Sequence, residues 1–305
     1  MSTSTGPAPE VGWAGTGRMG VPMVRRLLQV GTGVRAWNRT EEKAQQLAAD
    51  GAEIAAGLPQ IAQLPVVFTM LMDDQAVRDV VAGENGLLSG PGRPQILVDC
   101  STISVELAAG LEGIAQQRGT AFLHSPVLGN PRHVASGQLV AIASGPAEAF
   151  ATVRPLLEQI AGHVTYAGSG VAARVAKICA NILVGSLAET LAELLLIGES
   201  HGVARSALMD FLNSSVLGSV WTRAKTPAFA DLDFTATFTA EGMRKDLYLA
   251  QRLAREHYLA APLVDAVAAQ LTRLAGTGIG AGRDFASLLE LVAADSGHNL
   301  AGTES

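Results

Sequence analysis

The sequence predicts an α/β protein in which a domain with a doubly wound, mostly parallel sheet precedes an all-helical C-terminal domain. A glycine-rich turn lies in the first strand-helix unit, short apolar runs alternate with helical patterns up to residue 166, and only long helical patterns follow residue 172. The 305 residues favour two domains, and 48% hydrophobic residues supply core for both. We expect domains at residues 9–168 and 169–305.

The elements of the first domain follow from these alternations. Short apolar runs bounded by turn residues are typical of strands buried on both faces. Strands are predicted at residues 11–14, 34–37, 66–71, 96–99, 121–124, 139–144 and 164–166. Helices are predicted between them at residues 19–30, 41–49, 74–81, 105–117 and 148–160.

The second domain begins with a helical pattern over residues 172–198 that carries Leu, Ile and Ala on most faces. At 1.5 Å per residue this helix is about 40 Å long, so we expect it to join the domains and to bury apolar surface in a homodimer. Glu189 and Glu193 interrupt the run, which favours a buried helix of a soluble protein over a membrane span. Further helices are predicted at residues 204–213, 240–256, 262–275 and 285–294.

The glycine-rich turn has the spacing of a dinucleotide-binding fingerprint in a Rossmann domain. Gly15 permits the tight turn, Gly17 lets the backbone approach a pyrophosphate, and Gly20 lets the helix pack on the strand. The N-terminus of that helix favours negative charge. We therefore expect cofactor contacts from the whole turn, which also includes Thr16, Arg18 and Met19.

The end of the second predicted strand indicates which dinucleotide binds. An NAD site places Asp or Glu there for the ribose hydroxyls, whereas this chain has Asn38, Arg39 and Thr40. The guanidinium of Arg39 can bind a 2'-phosphate bidentately, with help from the side chains of Asn38 and Thr40. This pattern predicts NADP(H); the alternative is that Arg39 is a solvated loop arginine.

Composition excludes several other classes of function. A net charge of −6 without a basic run argues against nucleic-acid or anionic-membrane partners. Cys100 and Cys179 lie in apolar sequence and are predicted to be core residues in a reducing compartment. Neither the cysteines nor the six histidines have metal-ligand spacing, so we expect no metal. Residues 1–10 lack signal-peptide features and are predicted to be a disordered tail of a cytoplasmic protein.

Polar residues that could carry chemistry lie at strand ends and on the long helix. Ser101 and Thr102 follow the strand at residues 96–99, and their alternative role is to cap the next helix. Leu71 and Met72 end another strand and are expected to contact the nucleotide.

Lys177 and Asn181 are four residues apart and share one helix face. Such a lysine can donate a proton to a carbonyl oxygen while hydride reaches the carbon, whereas the alternative is a snorkelling surface lysine. Arg174, three residues earlier, is expected to lower the pKa of Lys177 by like-charge repulsion if both face the same way.

Together these motifs resemble the β-hydroxyacid dehydrogenase family, relatives of 3-hydroxyisobutyrate dehydrogenase, glyoxylate or succinic semialdehyde reductases and 6-phosphogluconate dehydrogenase. The resemblance covers nearly the whole chain and joins the glycine turn, an Asp-x-Ser-Thr pattern at Asp99, the Lys177 and Asn181 pair, and Lys245-Asp246-Leu247. It implies a catalytic role for Lys177 and cofactor contacts near the nicotinamide from Thr102 and Lys245. It also implies substrate contacts from Ser101 and Asn181. Without the resemblance, Lys245 would be expected in a surface ion pair and Asp246 in a helix charge pair.

Two departures from the family pattern concern the substrate loop and the start of the long helix. The family's substrate loop usually reads Asp-Ala-Pro-Val-Ser-Gly-Gly, whereas residues 124–130 place Leu128, Gly129 and Asn130 at its end. Leu128 replaces a hydroxyl, so some donors for a substrate carboxylate are missing. Val171 and Ala173 replace glycines before the lysine.

The leading function is an NADP-dependent oxidoreductase that reduces a small aldehyde or keto acid, or oxidises the matching hydroxyacid. An imine reductase acting on less polar C=N substrates is the alternative, favoured by Leu128 and opposed by the retained Lys177 and Asn181. A non-catalytic nucleotide-binding protein is the third possibility. Trp221, Phe238 and Met243 are candidates to complete the pocket, although apolar residues at helical spacing are more often core.

Overall fold

A computed structural model of the protein describes residues 10–300. Residues 1–9, which include all but the last residue of the predicted tail, lie outside the described residues. So do residues 301–305, at the end of the second predicted domain. The chain divides into two compact units, one ending at Lys177 and the other beginning at Ile178. The predicted boundary after residue 168 stays a prediction.

The first unit is built on a six-stranded parallel sheet with the order β3-β2-β1-β4-β5-β6. Its strands are β1 Glu10–Ala14, β2 Gly33–Trp37, β3 Glu53–Ile54, β4 Val66–Thr69, β5 Ile96–Asp99 and β6 Ala121–His124. The order reverses beside β1, which creates a crevice at the carboxyl ends of β1 and β4. This architecture confirms the predicted Rossmann fold class.

The helices of this unit connect the strands. They are α1 Gly20–Gln29, α2 Glu42–Gln45, α3 Leu58–Ala62, α4 Asp74–Ala82, α5 Val105–Gln117, α6 Pro131–Ala135 and α7 Ala147–Ile160. The helix predicted at residues 41–49 is therefore wrong in length, since only α2 forms and turns follow it. The short elements β3, α3 and α6 were not predicted, because so few residues give no clear periodicity.

Alternate strand residues supply two separate cores, because successive side chains of a strand point to opposite faces. On one face Trp13 stacks on Phe68 with ring centroids 5.3 Å apart, and Leu27 of α1 packs in the same cluster. On the other face Val67 and Leu97 pack with helices α3, α4 and α5. The sheet is thus buried on both sides, as its apolar strands predict.

Two of the predicted strands belong to a second sheet. It has the order β7-β8-β9, with β7 Val127–Leu128, β8 Val140–Ala143 and β9 His163–Tyr166. The pair β7 and β8 is antiparallel, and β8 and β9 are parallel. The expectation that residues 139–144 and 164–166 extend the parallel sheet is therefore wrong, because β8 pairs with the unpredicted strand β7 instead.

The described part of the second unit is helical. The elements are α8 Ala172–Ser200, α9 Arg205–Ser214, α10 Val220–Ala230, α11 Ala240–Glu256, α12 Pro262–Thr277, a 3-10 turn Phe285–Ser287 and α13 Leu288–Asp295. The division between the units falls within α8. The sequence did not predict α10, which begins with a Ser219–Thr222 capping box and contains Pro227.

Helix α8 is long and apolar enough to cross a membrane by length and composition, yet half of its most apolar stretch is buried within the protein. Its Glu189 is also buried. A carboxylate inside a half-buried apolar helix is typical of a protein core. Leu183 and Ile197 of α8 are 62% and 63% exposed, and the predicted homodimer stays a prediction.

Candidate active site

The carboxyl ends of five strands form one continuous edge of the large sheet. Trp37, Ala14, Thr69, Asp99 and His124 are paired in register across β2, β1, β4, β5 and β6. The residues that follow them therefore emerge along the same edge. Most of the predicted cofactor residues are among the residues that directly follow these strand ends.

The glycine turn has the geometry that a dinucleotide requires. Gly15 has a φ of +102°, and a Cβ atom on it would overlap the Met70 carbonyl oxygen. A Cβ on Gly20 would overlap the Gly15 carbonyl oxygen, whereas one on Gly17 would meet nothing within 4 Å. Gly15 and Gly20 thus close the turn, and the backbone at Gly17 is open to a ligand. The first turn of α1 contains no acidic residue, so the helix terminus keeps its attraction for phosphate.

Asn38 joins the glycine turn to the end of β2. Its Oδ1 accepts from the Thr16 backbone N–H at 3.0 Å, and its Nδ2 donates to the Thr40 carbonyl oxygen at 2.9 Å. Each end of the Asn38 amide thus has an internal partner, and the expectation that the second N–H of Nδ2 helps bind a 2'-phosphate stays a prediction. The buried Thr16 Oγ1 has no hydrogen-bond partner among residues 10–300.

Arg39 is exposed at the end of β2, beside the exposed Thr40. Arg39 forms no ion pair with any residue in the described part of the chain. Its guanidinium can therefore bind an anion without giving up an internal partner. Arg18, also exposed, lies in the glycine turn, and Met19 is half-buried beside it.

The loops after β4 and β5 place further predicted residues at the edge. Met72 is 84% exposed, and Leu71 and Thr102 are half-buried. The helix-capping alternative for Ser101 and Thr102 is wrong, because Ser104 is the N-cap of α5 and accepts from the Leu107 N–H at 3.3 Å.

Ser101 holds the two loops together from inside the protein. Its hydroxyl donates to Asp99 Oδ1 at 2.6 Å and accepts from the Leu71 N–H at 2.9 Å. Thr69 Oγ1 donates to the same Asp99 oxygen at 2.6 Å. Ser101 is fully buried, so the predicted substrate contact from its hydroxyl is not what this geometry provides.

Arg174 fills the interior beside Asp99. The side chain is 1% exposed, and Nη2 donates to Asp99 Oδ2 at 2.6 Å and to the Asp99 carbonyl oxygen at 3.0 Å. Nη1 donates to the Ser101 carbonyl oxygen, and Nε donates to His124 Nδ1 at 3.3 Å. Because the carboxylate of Asp99 pairs with the guanidinium and offsets its charge, the expected lowering of the Lys177 pKa by Arg174 stays a prediction.

His124 is neutral in this network. Burial, followed by the charge of Arg174, lowers its pKa to about 3 against the effect of Asp99. Since arginine only donates, Nδ1 of His124 must be the acceptor, and the ring proton then lies on Nε2, which is 3.3 Å from Glu112 Oε2. Burial also raises the pKa of Glu112.

The start of α8 is fixed by a second set of bonds. Ser144 Oγ accepts from the Ala173 N–H at 3.0 Å and donates to the Gly170 carbonyl oxygen at 2.6 Å. These bonds hold the segment in which Val171 and Ala173 replace the glycines of the family pattern. Lys177, half-buried, lies one turn beyond Arg174 on the same helix.

In the helical unit, Asn181 and Lys245 share one carboxylate. Asn181 is 3% exposed, and its Nδ2 donates to Asp246 Oδ2. Lys245 Nζ lies 3.3 Å from Asp246 Oδ1, with about a third of its side chain exposed. Asp246, which is buried, was predicted only as a member of a helix charge pair, and its place in the Lys245-Asp246-Leu247 motif is the feature that could have indicated this role.

The residues of the predicted substrate loop have unequal freedom. Leu128 is 39% exposed, and the exposed Gly129 has a φ of +140°. Asn130 is the N-cap of α6, where its Oδ1 accepts from the N–H groups of Arg132 at 3.0 Å and His133 at 3.3 Å. Only the amide nitrogen of Asn130 remains for a substrate, so the loop is poorer in polar groups than the sequence predicts.

The two cysteines differ from each other. Cys100 is buried as predicted, and burial raises the pKa of its thiol. Cys179 is exposed, so its assignment to the core is wrong, since it lies on a face of α8 that the chain leaves open. Within residues 10–300, no three His, Cys, Asp or Glu side chains are grouped to bind a metal.

The candidate pocket residues of the helical unit also differ. Met243 is fully buried, and Trp221 and Phe238 are half-buried around Phe285, with ring centroids 6.5 and 6.0 Å from it. The buried Lys225 ammonium lies 4.4 Å from the Phe285 centroid and 2.5 Å from Asp284 Oδ1. Burial lowers the pKa of Lys225. These contacts are typical of core packing.

Comparison with known proteins assigns both parts of the chain. A family model described as the NAD binding domain of 6-phosphogluconate dehydrogenase matches residues 10–168. A second, described as NAD-binding of NADP-dependent 3-hydroxyisobutyrate dehydrogenase, matches residues 171–292. The NAD-dependent L-serine dehydrogenase of Pseudomonas aeruginosa is 31% identical over 92% of this chain and 97% of its own length.

Two solved structures extend the comparison. The 3-hydroxyisobutyrate dehydrogenase of Mycobacterium tuberculosis, solved with L-serine, is 27% identical with a TM-score of 0.83, covering 93% of this chain and 99% of that one. A reductive aminase from Aspergillus terreus, solved with NADPH and ethyl levulinate, is 24% identical with a TM-score of 0.60, covering 93% and 99%. The second likeness is one of fold alone.

Proposed function

This chain belongs to the β-hydroxyacid dehydrogenase family of NAD(P)-dependent oxidoreductases, and we propose that it transfers hydride between NADPH and a small aldehyde or keto acid, or the matching β-hydroxyacid. One observation carries the proposal: Arg174 ties the first turn of α8 to Asp99 and His124, at the same sheet edge that carries the glycine turn. These bonds fix the helix turn next to Lys177 at the sheet edge where we propose that the dinucleotide binds.

The preference for NADPH over NADH is supported by the end of β2. Arg39 is exposed there, and no carboxylate follows β2 in the Asn38-Arg39-Thr40 segment to repel a 2'-phosphate. The glycine turn would hold the pyrophosphate, with Thr16 Oγ1 as a further donor. Contacts from Leu71, Met72, Thr102 and Lys245 to the cofactor are part of the proposal.

When bound, the nicotinamide supplies or accepts the hydride. The Lys177 ammonium donates a proton to the carbonyl oxygen of the substrate during reduction and takes it back during oxidation. Asn181, one turn further along α8, is proposed to orient the substrate oxygen. Its amide nitrogen donates to Asp246 Oδ2, which fixes the rotamer, and the second N–H of the same nitrogen is the group proposed to donate to the substrate oxygen.

The substrate loop favours compounds with limited polarity. Leu128 presents an exposed apolar side chain, and Asn130 uses its side-chain oxygen to cap α6. Reduction of C=N substrates is therefore the second candidate, and the common fold with a reductive aminase is compatible with it. The lysine at residue 177 supports the carbonyl reaction because an ammonium can protonate an alkoxide as it forms.

The test is a panel of aldehydes, keto acids and cyclic imines with NADPH, applied to the wild type and to Lys177→Ala. We expect turnover of an aldehyde or keto acid that falls about 10²- to 10⁴-fold in the variant. Lys43→Ala is the control, because Lys43 is exposed on α2. Turnover of cyclic imines alone would support the second candidate, and tight NADPH binding without any turnover would support a non-catalytic protein.

We also propose that the protein is a homodimer and that it is located in the cytoplasm.

A further inference from the structure

We propose that Arg174 is a positioning residue that sets the location of Lys177 relative to the carbonyl being reduced. The inference rests on the proposed function, since it assigns Arg174 a role that is exerted through the proton donor. Arg174 itself is buried, with 1% of its surface exposed, so its effect on the substrate is indirect.

The contacts of Arg174 reach three parts of the sheet edge. They comprise the Asp99 carboxylate, the carbonyl oxygens of Asp99 and Ser101, and the Nδ1 atom of His124. The planar guanidinium fixes these acceptors in direction as well as in distance. The head of α8 thus has a defined orientation toward β5, toward the loop after β5 and toward β6.

Stability alone is a poor reason for this arrangement. Burying an arginine and an aspartate costs several kcal/mol per ion, and well-packed apolar residues often give equal or greater stability. Apolar packing does not supply the several N–H donors in fixed directions that a guanidinium provides. A buried arginine one turn before the proposed proton donor therefore points to geometry as its contribution.

The same network includes the loops expected to contact the cofactor. Asp99 Oδ1 accepts from Ser101, whose hydroxyl in turn holds the Leu71 N–H. The helix turn that carries Lys177 and these loops are therefore both held, directly or through Ser101, by the carboxylate of Asp99. Lys177 lies about 4.5 Å further along the helix axis than Arg174, so a small tilt of the first turn displaces its Cα and side chain together.

Loss of Arg174 leaves Asp99 buried without its cation and should lower the stability of the fold. The start of α8 should still form, because Ser144 separately holds the Ala173 N–H and the Gly170 carbonyl oxygen. The folded variant is therefore expected to be defective in rate. A misplacement on the order of 1 Å can cost about 10²-fold in turnover. None of the hydrogen bonds of Arg174 within residues 10–300 involves the glycine turn, which should therefore bind NADPH as before.

The test is a double-mutant cycle of Arg174→Gln with Lys177→Ala, in which kcat, KM and the Kd for NADPH are measured. We expect Arg174→Gln to lower kcat about 10- to 100-fold with KM and Kd changed less than about 3-fold. In the Lys177→Ala background the same change should cost less than about 3-fold, because the residue it positions is absent. Arg174→Lys should recover part of the rate.

Arg154→Gln is the matched control, since Arg154 forms an exposed ion pair with Glu158 on α7. Equal losses in both Lys177 backgrounds would overturn the inference while leaving the proposed function intact. A fully active Lys177→Ala variant would instead refute the proposed function.

Hydrogen exchange of the amides at residues 174–177 gives a readout independent of activity. Exchange should be faster in Arg174→Gln and unchanged in Arg154→Gln, because only the first variant releases the head of α8. Unchanged exchange in Arg174→Gln would also overturn the inference. If the glutamine variant does not fold, Arg174→Lys replaces it, with an increase in exchange that is smaller than for a full loss of the cation but still larger than in Arg154→Gln.

Discussion

Replacement of His124 by asparagine should remove a large part of the acid sensitivity of the Rossmann unit. His124 has a pKa of about 3 in the folded protein, against an ordinary value of 6.5. Below pH 6.5 the unfolded chain therefore binds a proton that the folded chain refuses. Stability contributed by the neutral ring is complete above pH 6.5 and is lost progressively as the pH falls toward 3.

The magnitude follows from that interval. Each pH unit within it costs about 1.4 kcal/mol, so the wild type should lose about 2 kcal/mol of unfolding free energy between pH 7 and pH 5 through this residue. Asparagine does not titrate, and its Oδ1 can replace Nδ1 as the acceptor for Arg174. The difference in stability between wild type and variant should therefore shrink by about 2 kcal/mol over the same range.

The assay is urea unfolding followed by tryptophan fluorescence, in which the buried Trp13 reports on the unit that contains His124. His163→Asn is the control, because His163 is exposed and its replacement should leave the pH dependence of the wild type. Asp99, Arg174 and Glu112 face His124 in all the proteins compared. A wild type and a His124→Asn variant with parallel pH profiles would refute the assignment of a buried neutral ring.

Three further outcomes follow from the structure. Arg39→Ala should lower kcat/KM for NADPH about 10- to 100-fold and leave kcat/KM for NADH within about 3-fold, since a charge-assisted pair to phosphate is worth about 1.5–3 kcal/mol. An equal loss with both cofactors would contradict the 2'-phosphate role of Arg39. A thiol reagent should modify Cys179 in the native protein and Cys100 only after unfolding, and protection of both thiols would show that α8 is covered. Burial raises the pKa of Glu189, whose Oε2 lacks a partner within residues 10–300. The folded protein therefore becomes less stable as the pH rises through that pKa and Glu189 loses its proton. Glu189→Gln should consequently raise Tm more at pH 8 than at pH 5, and an equal change at both would argue against a buried carboxylate.

The parts of the fold that the sequence predicts are those encoded by local patterns. The strand at residues 96–99 and the helix at residues 105–117 were predicted with the bounds that the structure gives them. Gly15 and Gly20 could be assigned from the spacing of the turn: Gly15 has a φ of +102°, and a Cβ atom on Gly20 would overlap the Gly15 carbonyl oxygen. These two constraints involve residues close in sequence.

The contacts that correct the site prediction join distant segments. Arg174 bonds to Asp99, 75 residues earlier, and Asn181 bonds to Asp246, 65 residues later. Neither pairing has a periodicity or a spacing from which it could be inferred. The sequence therefore indicates which residues are present near the site but not which of them turn inward.

Ser101 and Thr102 show why a motif cannot be carried over as a set of equivalent contacts. Asp99 and Ser101 are fully buried and bonded to each other, whereas the next residue, Thr102, is half-buried. Asp99 has one carboxylate oxygen occupied by hydroxyls and the other by Arg174, so it has little capacity left for a ligand. The Asp-x-Ser-Thr motif thus divides into an internal scaffold of Asp99 and Ser101 and an edge residue, Thr102. On this division a change at Asp99 or Ser101 would disturb the loops and α8 together, while a change at Thr102 would act only on the cofactor contact that we propose for it.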